Sequence, residues 1–367
     1  MATPAALYLH VPFCRCKCDY CAFYSVARAD DADLRRAYLR RISDRLLDCR
    51  PQTPLKTVYV GGGNPTCLPP TELAALLAAV RAAFTLADGC EFTVESNPDT
   101  LTPETAAVLA GHGVNRVSLG VQSFCPALRR TLGRRGPPDA AGRAVDSLRA
   151  RDIERLNCDL IYGIPGQTPT QWREDLRQTL TFAPEHVSAY ALTLEPGTPL
   201  ARQHTTSADD DLCVQLWQVA GQVLGAAGLP RYEISNYAAP PAVCRHNVAI
   251  WYGAAYYGLG PAATAFDGAV RRQQVADLRA WLQGAAPDND PLPADARAAE
   301  ILFCGLRLSA GWRRAQFRQV TGYDYDELRS AAIDQLTADG LLTRTPDTLR
   351  PAERGLLFHD HIARTLL

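Results

Sequence analysis

Net charge is nearly absent from this sequence. Basic and acidic side chains number 38 and 39 and leave −1 at pH 7 over 367 residues. That balance excludes a general electrostatic affinity for nucleic acid or for an anionic membrane surface. The basic run Leu128–Arg135 (LRRTLGRR) reads as a solvated helix face. Long apolar runs are missing as well. The opening MATPAALYLHVPFC has no basic segment and no apolar stretch long enough for a signal peptide or a membrane span, so a cytoplasmic protein is expected. A third absence concerns metal fingers: no second CxxC and no histidine pair at finger spacing accompanies the cysteines.

What is present is an ordinary globular composition, 47% apolar and 21% charged. At 367 residues the chain exceeds the size at which one core stops growing, so one large domain and a smaller one are expected. Of the 12 cysteines, four (Cys14, Cys16, Cys18 and Cys21) fall close together. The others (Cys49, Cys67, Cys90, Cys125, Cys158, Cys213, Cys244 and Cys304) are scattered and read as small buried hydrophobes. In a reducing compartment they do not form a disulfide framework.

Short β-branched or apolar runs recur at Leu7–Val11, Thr57–Val60, Glu91–Val94, Arg116–Val121, Leu156–Ile161 and His186–Leu192. Helical stretches separate them. Thr71–Phe84 has apolar residues at helical spacing, and Thr168-Pro169-Thr170-Gln171 has the form of a capping box with proline at the first helical position. The fold class is therefore α/β, with a parallel sheet in a closed or partial (β/α)6, TIM-like barrel. A doubly wound open sheet is the alternative, but it leaves the cysteine loop without a rim to join. Cysteines, Gly61-Gly62-Gly63, Glu95, Gln122 and Asp159 all stand at or just past strand ends, where barrels place their sites. The barrel is expected over 1–230, an aromatic and glycine-rich extension with a linker (Ala285–Pro293) over 231–293, and a C-terminal domain over 294–367. In that tail a helix (Asp324–Asp339) stopped by Gly340, a hairpin (Leu341–Thr345 and Thr348–Pro351) and a last helix from Ala352 resemble a winged helix. Its small basic excess favours a structural or interaction role over nucleic-acid contact.

The spacing C-x3-C-x2-C of Cys14, Cys18 and Cys21 puts three thiolates on one loop. Thiolates are soft ligands that suit an iron–sulfur cluster or zinc. Three ligands on a four-iron cluster leave one iron open, the mark of a reactive site. Cys16 is a bystander, a surrogate ligand or a fourth ligand; an extended loop would set it beside Cys14 and Cys18.

LYLHVPFCRCKCDYCAF, GGGNPT at 61–66, ESNP at 95–98, GVQSF at 120–124, DLIYGIPGQT at 159–168, YEISNYA at 232–238 and HNVAIW at 246–251 together resemble the radical-SAM family. Within it they are similar to the branch that holds the oxygen-independent coproporphyrinogen dehydrogenases and the HemW-type haem chaperones. The tail correspondingly resembles a HemN-like C-terminal domain. The resemblance implies a [4Fe-4S] cluster on Cys14, Cys18 and Cys21 and S-adenosylmethionine chelated to the open iron. It implies that Gly62 and Gly63 let backbone approach the ligand's amine, with Asn64 where the family usually has threonine. Glu95, Gln122 and Asp159 are then acceptors for ribose hydroxyls and the ammonium, and Arg134 clamps the carboxylate. Tyr8 and Tyr20 match positions flanking the cluster and adenine. Without the resemblance, Tyr8 is a strand aromatic and Arg134 one of several helix-face arginines.

Two functions fit that resemblance. One is an enzyme, a dehydrogenase acting on a porphyrinogen propionate through an adenosyl radical. The other is a chaperone that binds haem and delivers it to respiratory or other haem-accepting proteins, with a homodimer and peripheral membrane contact through those partners both allowed. Phe23 stands where the dehydrogenases carry a fourth cysteine, Cys14 follows almost at once on the first residue, and His246–Trp251 resembles the chaperones' HNxxYW block apart from Ile250. These features favour the chaperone. His246 is a candidate haem contact or else a loop histidine bonded to backbone. Trp251, Tyr252, Tyr256 and Tyr257 form either a wall for a porphyrin face or packing between barrel and tail.

Overall fold

The computed structural model describes residues 3–49, 51, 53–137, 139–204 and 208–367. Its centre is a parallel sheet of β1 (Ala6–Val11), β2 (Leu55–Gly62), β3 (Leu86–Ser96), β4 (Arg116–Gln122), β5 (Arg155–Tyr162) and β6 (His186–Ala191), each paired with the next in sequence. Two short strands extend it at the edges. β7 (Asn236–Ala238) lies antiparallel on β6, and β8 (Tyr257–Leu259) lies parallel on β1. The sheet order β7-β6-β5-β4-β3-β2-β1-β8 is that of a partial barrel, not of a doubly wound sheet, which would reverse direction at its middle.

Side chains alternate across a strand, and here the two faces differ in kind. One row (Leu7, Leu9, Val58, Val60, Phe92, Val94, Val117, Leu119, Leu156, Leu160, Val187) is buried against the outer helices. Each such side chain contributes about 1.5–3 kcal/mol of hydrophobic stabilisation. The opposite row (Tyr8, His10, Thr57, Tyr59, Glu91, Thr93, Glu95, Arg116, Ser118, Asn157, Asp159, His186, Ser188 and Tyr190) lines a polar interior. Helices Ala32–Asp48, Pro70–Ala83, Pro103–Gly111, Ala140–Arg149, Pro169–Leu180 and Asp210–Ala226 cover the outside. The expected capping box is formed: Thr168 Oγ1 accepts from Gln171 N, and the Gln171 side chain returns to Thr168 N.

Beyond β6 the expected linker is instead structured. Asp288–Asp290 pairs with Arg271–Gln273, which pairs with Thr264–Phe266. Arg297 Nη2 pins that edge by donating to Asp290 O at 2.7 Å and Oδ2 at 3.1 Å, so its proline- and aspartate-rich composition marks a short edge strand. The tail follows the expected order. Asp324 caps the helix Tyr325–Ala338, which ends before Gly340 at φ +69°, and the strands Leu342–Arg344 and Thr348–Pro351 form the expected hairpin, with Trp312–Arg313 pairing on Thr348–Pro351 as a third strand. Its core (Trp312, Phe317, Tyr325, Ile333, Leu349, Ile362) also takes in Tyr256 and Phe266 of the extension. This decides between the two readings of the aromatics. Tyr252 meets Trp312 edge-on at 4.7 Å and donates to Gly311 O, and Tyr257 meets Phe84 at 5.3 Å. Tyr252 and Tyr256 thus pack the extension against the tail, while Tyr257 packs on the barrel's own helix end at Phe84.

Candidate functional site at the barrel rim

The cysteine loop leaves β1 and crosses the C-terminal rim of the barrel. Asp19 N donates to Leu132 O at 3.0 Å, and Asp19 O accepts from Leu200 N at 2.9 Å, so the loop's far point is tied to segments beyond β4 and β6. It then returns to β1, where Val26 N reaches Pro12 O at 2.7 Å and Cys14 N reaches Val26 O at 3.0 Å. All four loop cysteines are half-buried free thiols. Burial pushes Cys14 up to about 11, opposed by the nearby Ser25 hydroxyl and assisted by Cys21, Cys18 and Cys16. Burial likewise raises Cys21 and Cys16; Cys18 acts on both, and Arg135 and Asp99 stand near Cys16. The four sulfurs therefore share one neighbourhood, and metal binding to such thiols releases their protons.

Gly63 has no room for a side chain. A Cβ there would lie 2.7 Å from Phe13 O and 3.1 Å from Cys14 Sγ, so the glycine run presses directly on the cluster loop. Gly62, at φ +112°, occupies a conformation that side chains rarely adopt and would strike the His10 ring at 2.7 Å. Its N–H donates to Glu95 Oε2 at 3.0 Å, while Tyr59 Oη donates to Glu95 Oε1 at 2.8 Å. Burial nevertheless raises the Glu95 pKa to about 7, with Tyr59 and Gly62 opposing the shift and Asp159 adding to it. Asp159 accepts from Ser118 Oγ at 2.9 Å and Asn157 Nδ2 at 2.7 Å. Its pKa is raised by burial against those hydrogen bonds. Gln122, at φ +71°, turns off β4 at a register shift beside Gly120.

The basic run is not the solvated face that its composition suggests. Arg129 is buried and donates to Val121 O, Ser123 O and Gly136 O, each at 3.1 Å. Arg134 donates to Gly120 O and, at 2.7 Å, to Asn97 Oδ1, and its Nη1 lies 3.7 Å from Cys18 Sγ. Both fold inward because the helix Pro126–Thr131 is short and the strand ends beneath it present unpaired carbonyls. Tyr20 packs on Leu128, Leu132, Ile161, Ile164, Leu192 and Leu200. Tyr8 stands lower, inside the barrel, with Oη 3.1 Å from His10 Nδ1.

Two expected contacts fall elsewhere. Asn64 is buried and spent on its own turn: Nδ2 donates to Thr100 Oγ1 at 3.0 Å, and Oδ1 accepts from Thr66 Oγ1 at 2.9 Å. It fixes the turn at 97–100 and does not face the rim's open space. His246 lies at the opposite end of the strands. Its Nδ1 meets Thr57 Oγ1 at 2.9 Å, its N–H donates to Glu91 Oε1 at 2.9 Å, and its ring packs on Tyr59 at 5.2 Å. Burial holds its pKa down at about 3. At 2% exposure this imidazole offers no edge to a porphyrin, which corrects the haem-contact expectation. The block HNVAIW is a helix, Arg245–Trp251, capped by Glu91 and closing the barrel floor. Asn97, Ser118, Asn157 and Tyr190 belong to the site and were not expected. The signal was periodicity, since Asn157 and Asp159 are two apart on one strand face.

Among the described residues, no group of three or more His, Cys, Asp or Glu side chains is arranged to hold a metal ion. The fit to a cluster rests instead on donor type, on the shared neighbourhood of the thiols and on the side-chain-free Gly63 against Cys14.

A partial parallel barrel with a three-thiolate loop after its first strand, and glycines and carboxylates on the same rim, defines a radical-SAM protein. The Radical SAM superfamily model matches residues 8–179, and the HemN C-terminal domain model matches residues 292–358. The chain is 35% identical to the heme chaperone HemW of Mycobacterium tuberculosis, over 99% of this chain and 95% of that protein. It is 33% identical to the heme chaperone HemW of Escherichia coli, over 99% and 98%. The solved structure of E. coli coproporphyrinogen III oxidase (HemN), a radical SAM enzyme, superposes with TM-score 0.86 at 20% identity, over 100% of this chain and 90% of that one, and so shares the fold. The chain belongs to the heme chaperone HemW family of the radical SAM superfamily.

Proposed function

We propose that this protein binds haem and passes it to haem-dependent proteins, including respiratory ones, while keeping a [4Fe-4S] cluster and S-adenosylmethionine at the barrel rim. The observation that carries the reading is likeness over 99% of the chain to proteins named heme chaperone HemW. Cys14, Cys18 and Cys21 hold the cluster and Cys16 does not. Bound there, the cluster supplies an open iron able to chelate an amino acid and to deliver an electron. Gly62 and Gly63 give the ligand's amine access to backbone. Glu95, ionised above its raised pKa, accepts from the ammonium, and Asp159 and Gln122 accept from the ribose. Arg134, already fixed by Gly120 and Asn97, carries the positive charge for the ligand carboxylate. Tyr8 and Tyr20 bound the pocket below and beside these groups, and Asn64 supports it from behind.

The protein acts in the cytoplasm, meets the membrane only through its haem-accepting partners, and is able to pair with a second copy. Among the described residues no helix is long and apolar enough to cross a membrane. The test is anaerobic reconstitution followed by haem titration and product analysis. Stoichiometric haem binding without conversion of coproporphyrinogen is expected; robust conversion would overturn the reading.

A further inference from the structure

Asp159 stands above a layer of polar side chains that the sheet register builds. Ser118 of β4 and His186 of β6 are the register partners of Asn157 on β5, and Asp159 follows Asn157 on the same face of that strand. Ser118, Asn157 and His186 are all buried. Buried polar groups find their partners within the protein, and here those partners fix the direction of every hydrogen bond.

The directions follow from the carboxylate downward. Ionised, Asp159 only accepts. Asn157 therefore turns its amide nitrogen to it. Nδ2 donates to Asp159 Oδ1 at 2.7 Å and to Ser118 Oγ at 2.6 Å, and Ser118 Oγ donates onward to Asp159 Oδ2 at 2.9 Å. One amide thus holds both carboxylate oxygens, the second through a serine. Asn157 Oδ1 is left facing His186, 2.6 Å from Nδ1, so Nδ1 carries the ring proton. Nε2 is then an acceptor and takes the Tyr232 hydroxyl at 2.9 Å. Tyr232 Oη accepts in turn from Cys244 N at 3.3 Å, and Tyr232 O accepts from Ser309 N at 3.0 Å. One directed chain runs from the extension and the C-terminal domain, through the barrel interior, to the rim carboxylate. At 2% exposure each, Asn157 and His186 have no surface for a ligand, so they act on one only through Asp159.

We propose that Asn157 and His186 are positioning residues for S-adenosylmethionine. They hold the Asp159 carboxylate fixed for the ribose hydroxyls, and Tyr232 ties that setting to the segment beyond the barrel. A carboxylate ordered before the ligand arrives does not have to be ordered by it, and the saving appears as affinity. The inference rests on the reading above that Asp159 accepts from the ribose.

The test is S-adenosylmethionine binding to anaerobically reconstituted protein by equilibrium dialysis, with an analogue lacking both ribose hydroxyls as the second ligand and iron content as the control. Wild type should prefer S-adenosylmethionine to the analogue by about tenfold. Asn157→Leu and His186→Leu should weaken S-adenosylmethionine about tenfold and leave the analogue within about twofold of wild type. His186→Asn, whose amide is able to donate where Nδ1 stood, should recover S-adenosylmethionine binding to within about threefold. Equal weakening of both ligands in the leucine variants would mark general damage to the pocket and overturn the proposal. Unchanged S-adenosylmethionine affinity in those variants, or a His186→Asn variant no better than His186→Leu, would overturn it too. Wild-type protein that binds both ligands equally would overturn the ribose reading of Asp159, and the inference with it.

Discussion

The two ends of the barrel carry nearly the same residue types and use them in opposite ways. At the floor, Glu91 caps the helix Arg245–Trp251 through Arg245 N and His246 N, at 3.1 and 2.9 Å, and faces Arg155 and Arg245 at 3.9 and 3.8 Å. His186 is held at both ring nitrogens, by Asn157 Oδ1 at 2.6 Å and Tyr232 Oη at 2.9 Å. At the rim, Glu95, Asp159 and Arg134 also have protein partners but are only half-buried, and Tyr190 is 42% exposed. A carboxylate or histidine inside a barrel is thus not functional by type. What separates the ends is exposure: Glu91, His186 and His246 at the floor are sealed off, whereas the rim groups keep an open edge that a ligand can reach.

That contrast can be broken most decisively at the thiols. Alanine at Cys14, Cys18 or Cys21 should abolish the brown chromophore and the bound iron, whereas Cys16→Ala should keep both; iron and sulfide analysis after reconstitution reads this. Next in size is the floor carboxylate. Glu91→Ala removes the helix cap and strips a fully buried charge of its role, so stability should fall by about 3–5 kcal/mol, measured by denaturant unfolding. Gly63→Ala should lower cluster occupancy at unchanged secondary structure, because its Cβ would press on Phe13 O and Cys14 Sγ. Arg134→Lys loses the fork that joins Gly120 and Asn97, and should weaken S-adenosylmethionine binding about tenfold, by equilibrium dialysis.

The smallest effect is the titration of Glu95. Its pKa is raised from 4.5 to about 7, so between those values the folded protein keeps a proton that the unfolded chain has released. Stability from this group is therefore greatest below pH 4.5 and is lost as pH rises through 7. Glu95→Gln should raise the melting temperature of the ligand-free protein by about 2–4 °C at pH 8, and the difference should vanish below pH 4.5. S-Adenosylmethionine binding to wild type should strengthen over the same rise in pH, as the ionised acceptor appears.

Much of the rim was legible because strand ends, glycines and thiols carry local signals. The strand positions, the capping box at Thr168 and the cluster spacing depend on neighbours in sequence. Three features did not. Arg129 and Arg134 turn inward to carbonyls that only the folded strand ends bring near. Asn64 reads as a ligand group but is consumed by Thr66 and Thr100. His246 sits in a block that looks like a site, yet its surroundings are set by Thr57 and Glu91, more than 150 residues away along the chain. The aromatics after it read equally as a porphyrin wall or as packing, and only the positions of Trp312 and Phe84 decide. Burial is a tertiary property, so residue type alone could not separate floor from rim.

The most direct measurement is haem affinity of wild type and His246→Gln, both titrated with ferric haem after anaerobic reconstitution, with iron content as the control. Wild type should bind haem, and His246→Gln should stay within about twofold of it. Loss of haem binding in the His246 variant, with its iron retained, would contradict the placing of His246 in the barrel floor.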